Sequence, residues 1–141
     1  MSFTAKVVTT LQIDSDDVET VATRTFSGLT AVDTYKEVVN NAAVTLWDPT
    51  VAGVGIANFD LMVLSTDVEV QVEMTVNEGH ADEELNSFTL AANTSMVLGS
   101  DDAYYNHSAS DVWGGSADVI DKIRIKEENS VAATVVLRLF S

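Results

Sequence analysis

Val68-Glu69-Val70-Gln71-Val72-Glu73-Met74-Thr75-Val76, nine residues in the middle of the chain, decides the fold. Apolar and polar side chains alternate strictly along this stretch, and a period of two residues is that of a β-strand with one buried face. The other face carries Glu69 and Glu73, whose charges we expect to protect an edge of the sheet. The stretch therefore predicts a half-buried strand in an antiparallel sheet.

The segments next to this strand predict further antiparallel β-structure. A second apolar run, Phe59–Leu64, lies just before it, and Ser65-Thr66-Asp67 between them is typical of a turn. We predict that the two runs form an antiparallel hairpin.

The C-terminal segment repeats this arrangement. Ile120, Ile123 and Ile125 predict one strand, residues 127–130 a polar turn, and residues 131–140 a last strand. The last strand has apolar side chains on both faces, which favours a position that is central in its sheet or covered by a neighbour.

The rest of the chain adds further short strands. Lys6–Ile13 and Val18–Phe26 predict a third pair around a turn at Asp14–Asp17, and short strands are predicted at Ser87–Ala91 and Met96–Leu98. Thr30–Asn41 also fits a helical stripe, but it leads into the strand-like Ala43–Trp47, so we predict a strand there. Eight or nine short strands indicate an all-β fold: one domain over residues 1–141, a two-sheet antiparallel sandwich of the jelly-roll type.

Composition limits the classes of protein to which the chain can belong. Of 141 residues, 46% are apolar and 21% charged, which predicts a folded domain rather than a disordered tail. There is no Cys, so disulfides, thiolate nucleophiles and Cys-ligated zinc are excluded. The N-terminal residues lack the pattern of a signal peptide, and no apolar run approaches the length of a membrane helix. We expect a soluble protein with no membrane partner.

Charge is distributed unevenly along the chain. Asp and Glu number 22 against 7 Lys and Arg, a formal net charge of -15, and no Lys or Arg lies between Glu37 and Asp121. We expect an acidic outer face, and a surface of this sign disfavours nucleic acid as a partner, since phosphate contacts need clustered cations. Acidity of this kind also fits a saline habitat, in which salt screens the repulsion between carboxylates.

Two groups of residues are candidates for an interface. Lys122, Arg124 and Lys126 alternate with apolar residues, so all three should lie on one face of a strand. That face is either a solvated surface balanced by nearby acids or a basic strip that contacts the acidic middle of another copy.

The second candidate group is aromatic. Tyr104, Tyr105 and Trp113 lie in a long segment without periodicity, Gly99–Asp118, and long loops in compact domains are commonly functional. These side chains can anchor a protein interface or stack on a sugar, or they can fold back to seal the end of the sandwich.

No pattern for catalysis accompanies these residues. His80 and His107 are the only candidates for acid-base chemistry near neutral pH, and neither belongs to a nucleophile motif, a phosphate loop or a metal-ligand spacing. We predict no enzyme activity, no catalytic or metal-binding residues and no cofactor. The one open alternative is calcium at the acidic turn Asp14–Asp17, which lacks the spacing of an EF-hand. A cleft with either histidine among converging acids would favour an enzyme instead.

Three strings of the chain carry a family resemblance: FDLMVLSTDVEVQVEM from Phe59, SFTLAANTSMVL from Ser87 and DKIRIKEENSVAATVVLRLF from Asp121. Their pattern resembles small virion proteins of tailed bacteriophages, most of all the capsid cement or decoration proteins. The resemblance implies a structural protein, made in the host cytoplasm, that attaches as a dimer or trimer to the outer surface of the capsid. Its implied partners are the major capsid protein and further copies of itself.

A binding module is the alternative function. Phage tail and fibre modules share the same pattern, and a receptor-binding or carbohydrate-binding sandwich would use Tyr104, Tyr105 and Trp113.

Overall fold

The structure, a computed structural model, describes residues 1–14, 17–51, 54–76, 78–79, 83–99 and 120–141. All ten of its regular elements are β-strands, which confirms the all-β prediction. The described residues contain no helix capable of crossing a membrane. The strands are β1 (Phe3–Asp14), β2 (Asp17–Leu29), β3 (Val32–Val39), β4 (Val44–Trp47), β5 (Leu61–Thr66), β6 (Val70–Val76), β7 (Glu84–Leu90), β8 (Thr94–Leu98), β9 (Ile120–Lys126) and β10 (Ala133–Phe140).

The chain divides into two compact units, residues 1–31 and residues 32–141. The first unit is a β-ribbon in which β1 and β2 pair antiparallel from Phe3 opposite Leu29 to Asp14 opposite Asp17. The strand pair predicted around the acidic turn is therefore confirmed. Arg24 places its guanidinium 4.9 Å from the centre of the Phe26 ring, a cation–π contact along β2. That the whole chain is one domain stays a prediction.

The second unit consists of two four-stranded antiparallel sheets. Sheet I has the order β3-β10-β5-β8, and sheet II has the order β4-β9-β6-β7. The predicted two-sheet antiparallel sandwich is confirmed. Thr30–Asn41, which also fitted a helical stripe, contains strand β3, and β10 lies between β3 and β5, in the central position predicted for it.

The core lies between the two sheets and follows from the alternation in the sequence. Val70, Val72 and Met74 of β6 are at most 1% exposed, while Gln71 between them faces solvent. The inward residues of β10 are likewise fully buried: Ala133, Val135, Leu137 and Leu139.

Trp47 is the largest side chain of this core. It is 1% exposed, its ring contacts Phe59 edge to face at 5.6 Å between centroids, and its Nε1 donates a hydrogen bond to the carbonyl of Ile56 at 2.9 Å. The hydrogen bond satisfies the one polar group that burial of an indole leaves without water.

Two predicted hairpins are wrong. β5 belongs to sheet I and β6 to sheet II, and in the same way β10 belongs to sheet I and β9 to sheet II. The polar segments between them are arches that cross from one sheet to the other, because each strand buries its apolar face against the opposite sheet rather than pairing with its neighbour in sequence. β6 is also central, between β9 and β7, so the edge-protection role expected for Glu69 and Glu73 is wrong too.

Each arch is held by a carboxylate at its start. Asp67 accepts a hydrogen bond from the backbone N–H of Thr134 at 2.6 Å and thereby joins the β5–β6 arch to β10. Glu127 is completely buried in the β9–β10 arch and accepts hydrogen bonds from the backbone N–H groups of Asn129 and Val131. Both residues have a structural role because buried or strand-end N–H groups need acceptors.

Candidate functional site

The predicted basic strip lies on the outer face of sheet II. Lys122, Arg124 and Lys126 occupy alternate positions of β9, opposite Thr75, Glu73 and Gln71 of β6. The one-face geometry inferred from their spacing is confirmed. A shallow concavity of about 160 Å³ on this face is lined by Glu73, Arg124 and Lys126 among others.

Each cation of the strip contacts an acid of the same chain. Arg124 Nη1 lies 2.9 Å from Glu73 Oε1 on the neighbouring strand. Lys126 Nζ lies 3.0 Å from Glu128 Oε1, and the other carboxylate oxygen of Glu128 accepts a hydrogen bond from Gln71 at 2.8 Å. The contacts therefore match the alternative in which nearby acids balance a solvated strand face. Contact of this strip with another copy stays a prediction.

Lys122 is the most enclosed of the three cations. It donates a hydrogen bond to Glu78 and lies 3.5 Å from Asp48, with only 19% of its side chain exposed. The hydrogen bond to Glu78 is the main cause that raises the pKa of Lys122, with the Asp48 carboxylate adding to it. Asp48 has a lowered pKa, mainly because the Thr50 hydroxyl donates to it. The ion pair between Lys122 and Asp48 links β9 to the segment that follows β4.

The outer face of sheet I has a different character. Two cross-strand rows run across it, Lys36–Val136–Ser65–Ser95 and Thr34–Arg138–Val63–Val97. Neither row contains an acidic residue. We call these two rows, together with Val38 beside them on β3, the acid-free face. Val38 is 63% exposed and Val97 44% exposed, so apolar side chains lie open to solvent on this face.

The two cations of the acid-free face have no acidic partner among the residues that the structure describes. No described carboxylate lies within the 4.0 Å ion-pair distance of Lys36 or Arg138, although all three cations of sheet II have one. The next row, Val38–Thr134, leads to Asp67, whose carboxylate accepts the hydrogen bond from Thr134, so one carboxylate lies at the border of the acid-free face. In a chain with a net charge of -15, the only ionisable side chains of these two rows are the cations Lys36 and Arg138.

The sequence pattern did not indicate Lys36 and Arg138 as a pair. They are far apart in sequence and become neighbours only through the register of β3 with β10, in which Lys36 opposes Val136 and Thr34 opposes Arg138. The available signal was the last strand itself, since residues 131–141 hold Arg138 and no acid.

The other candidate residues lie outside the described part of the chain. These are Tyr104, Tyr105, Trp113, His80 and His107. Among the described residues there is no group of three or more His, Asp or Glu placed to hold a metal ion. The calcium alternative at Asp14–Asp17 includes two residues outside that part, so it stays a prediction, and so does the expectation that the protein needs no cofactor.

Comparison of the chain with protein-family models, with curated proteins and with solved structures finds no match.

Proposed function

We propose that the protein is a structural virion protein, a cement or decoration protein that binds the outer surface of a tailed-phage capsid and stabilises the head. The pattern of the sequence, which resembles such proteins, is the first support. Its proposed partners are the major capsid protein and further copies of itself, and its proposed location is the outside of the particle.

The order of the strands supports this proposal at the level of fold. From β3 onward the chain passes back and forth between the sheets, with one hairpin at β6–β7, and gives the orders β3-β10-β5-β8 and β4-β9-β6-β7. We infer that this is a jelly roll, an eight-stranded double sheet common among viral capsid domains and also lectins. Since one fold serves many functions, the strand order favours the proposal without deciding it.

The observation that carries the proposal is the separate β-ribbon. β1 and β2 span 12 and 13 residues, longer than any strand of the sandwich, and form a two-stranded sheet with no third strand among the described residues. A two-stranded ribbon by itself is at best marginally stable in water. In an assembly such a ribbon can be stabilised by a neighbouring chain that adds strands to its edges or covers its face.

The test is binding to heads. Purified full-length protein is incubated with expanded heads of the phage that encodes it, prepared without the protein, and bound protein is measured by cosedimentation. We expect saturable binding at a fixed number of copies per capsomer and heads that resist heat better. Absence of binding would overturn the proposal.

The alternative, a receptor-binding or carbohydrate-binding tail module, depends on Tyr104, Tyr105 and Trp113. These residues lie outside the described part of the chain, so the alternative stays a prediction. A glycan array with the wild type and a Trp113→Ala variant tests it, and sugar binding that the variant loses is required.

A further inference from the structure

We propose that the acid-free face of sheet I is the surface through which one copy of the chain binds a carboxylate-bearing surface of a second copy. This goes beyond the proposed function, because it names the surface of self-association and applies with or without a capsid.

The first argument is charge. Lys36 and Arg138 lie on adjacent strands at diagonal positions, for which a separation of about 7–8 Å is typical. Two cations this close repel each other, and no described acid lies within ion-pair distance of either. Carboxylates supplied by another molecule would remove this repulsion. A copy of this chain, with a net charge of -15, is rich in them.

The second argument is apolar exposure next to these cations. Val97, Val63 and Val136 lie in the two rows, and Val38 lies beside them on β3. Val38 and Val97 are exposed, and Val63 and Val136 are half-buried. A depression of about 440 Å³ at one end of the face is lined by Ser65, Ser95 and Val136, and also by Asp67 of the neighbouring row. Asp and Glu, which are depleted in interface cores, are absent from the two rows; Lys and Ser, which are depleted too, are present, so the apolar contact would come from the four valines.

Charge also decides the symmetry of the contact. If two acid-free faces met each other, Lys36 and Arg138 would be placed against rows that contain no carboxylate, so an isologous pairing is unfavourable. The contact is therefore heterologous: the acid-free face of one copy meets a different, acidic surface of the next. Exposed carboxylates outside the paired strip of sheet II, such as Asp60 and Glu69, are available for this contact. Heterologous contacts close into rings or continue as chains.

The size of the face predicts weak association. Four strands about 4.8 Å apart, of 8, 8, 6 and 5 residues at about 3.3 Å each, give about 430 Å², compared with about 800 Å² per partner in a standard interface. Self-association should therefore be measured over protein concentrations from about 10 to 300 µM, the range suited to a small interface.

The experiment compares two double variants of the full-length protein by analytical ultracentrifugation. Lys36→Glu/Arg138→Glu alters the acid-free face, and Arg124→Glu/Lys126→Glu makes the same change of charge on the outer face of sheet II. We expect the wild type and the sheet II variant to self-associate and the Lys36/Arg138 variant to stay monomeric. Thermal unfolding of the monomeric variant checks that it is folded. A monomeric wild type, or equal association of both variants, would overturn the inference.

A second measurement does not depend on charge. A photo-crosslinking residue at position 38 or 97 should join two copies of the chain, and the same residue at position 85 should not. Leu85 is the matched control, since it is 62% exposed on β7 of sheet II. Crosslinks from position 85 alone would overturn the inference. In the presence of heads, crosslinks from positions 38 and 97 only to the shell protein would overturn it as well, while leaving the proposed capsid function intact.

Discussion

Glu127 shows how much one acidic residue can contribute to the structure without belonging to the acidic surface. Its carboxylate is fully buried and accepts hydrogen bonds from two backbone N–H groups of the β9–β10 arch. Replacement by Ala removes the acceptor that both N–H groups share and takes a fully buried side chain out of the arch. We expect Glu127→Ala to lower the free energy of unfolding by about 2–4 kcal/mol.

Urea unfolding of Glu127→Ala and Glu128→Ala side by side tests this prediction. Glu128 is the adjacent acid, with 46% of its side chain exposed and an ion pair to Lys126. Its removal should change the free energy of unfolding by about 1 kcal/mol or less, as is typical of surface ion pairs. Equal losses in the two variants would contradict the role given to Glu127.

Asp67 makes the stability depend on pH. The backbone N–H of Thr134 donates to its carboxylate, and this hydrogen bond is the main cause that lowers the pKa of Asp67 in the folded protein. The charged form is thus favoured by folding. Its contribution to stability is present above the pKa of an unfolded Asp, about 3.9, and is lost as the pH falls through the lower folded value.

The variant Asp67→Asn keeps an acceptor oxygen but not the charge. We expect it to unfold at lower urea than the wild type at pH 7, and the difference to shrink as the pH falls below about 4. A difference for Asp67→Asn that is the same at every pH would contradict the account.

At the scale of elements, the sequence could predict the strands but not how they pair. The alternation in Val70–Val76 and the two-sided apolar pattern of residues 131–140 locate β6 and β10 because burial of every second side chain is a local signal. That signal is identical for a hairpin and for an arch between sheets, so it could not show that both predicted hairpins are in fact arches. Likewise, the spacing of Arg124 and Lys126 gives their common face, but the pairing of Arg124 with Glu73 depends on the register of β9 with β6.

The β-ribbon and the sandwich should differ in independent stability. The core cluster lies entirely between Val39 and Leu139, within the second unit. We expect a chain of residues 32–141 to unfold cooperatively with a midpoint near that of the full-length protein, and a peptide of residues 1–31 to be largely unfolded, since isolated hairpins are marginal. Circular dichroism of both pieces tests this. Failure of residues 32–141 to fold would instead favour the single-domain prediction.

At the scale of the whole molecule, the structure indicates a different set of cations as the candidates for an interface. The three that are close together in sequence, Lys122, Arg124 and Lys126, are balanced by acids on and beside sheet II. The two that lie apart in sequence, Lys36 and Arg138, meet on sheet I among valines and without an acid in their rows. In a protein with a net charge of -15, the acid-free face is where repulsion between copies is least.

The reactivity of lysines tests this central claim most directly. The chain has only four lysines, Lys6, Lys36, Lys122 and Lys126, and brief acetylation followed by mass spectrometry measures each one at low and high protein concentration. As copies associate, the account predicts that Lys36 loses reactivity while Lys126, 43% exposed on the other sheet, does not. Protection of Lys126 with Lys36 still reactive would contradict it.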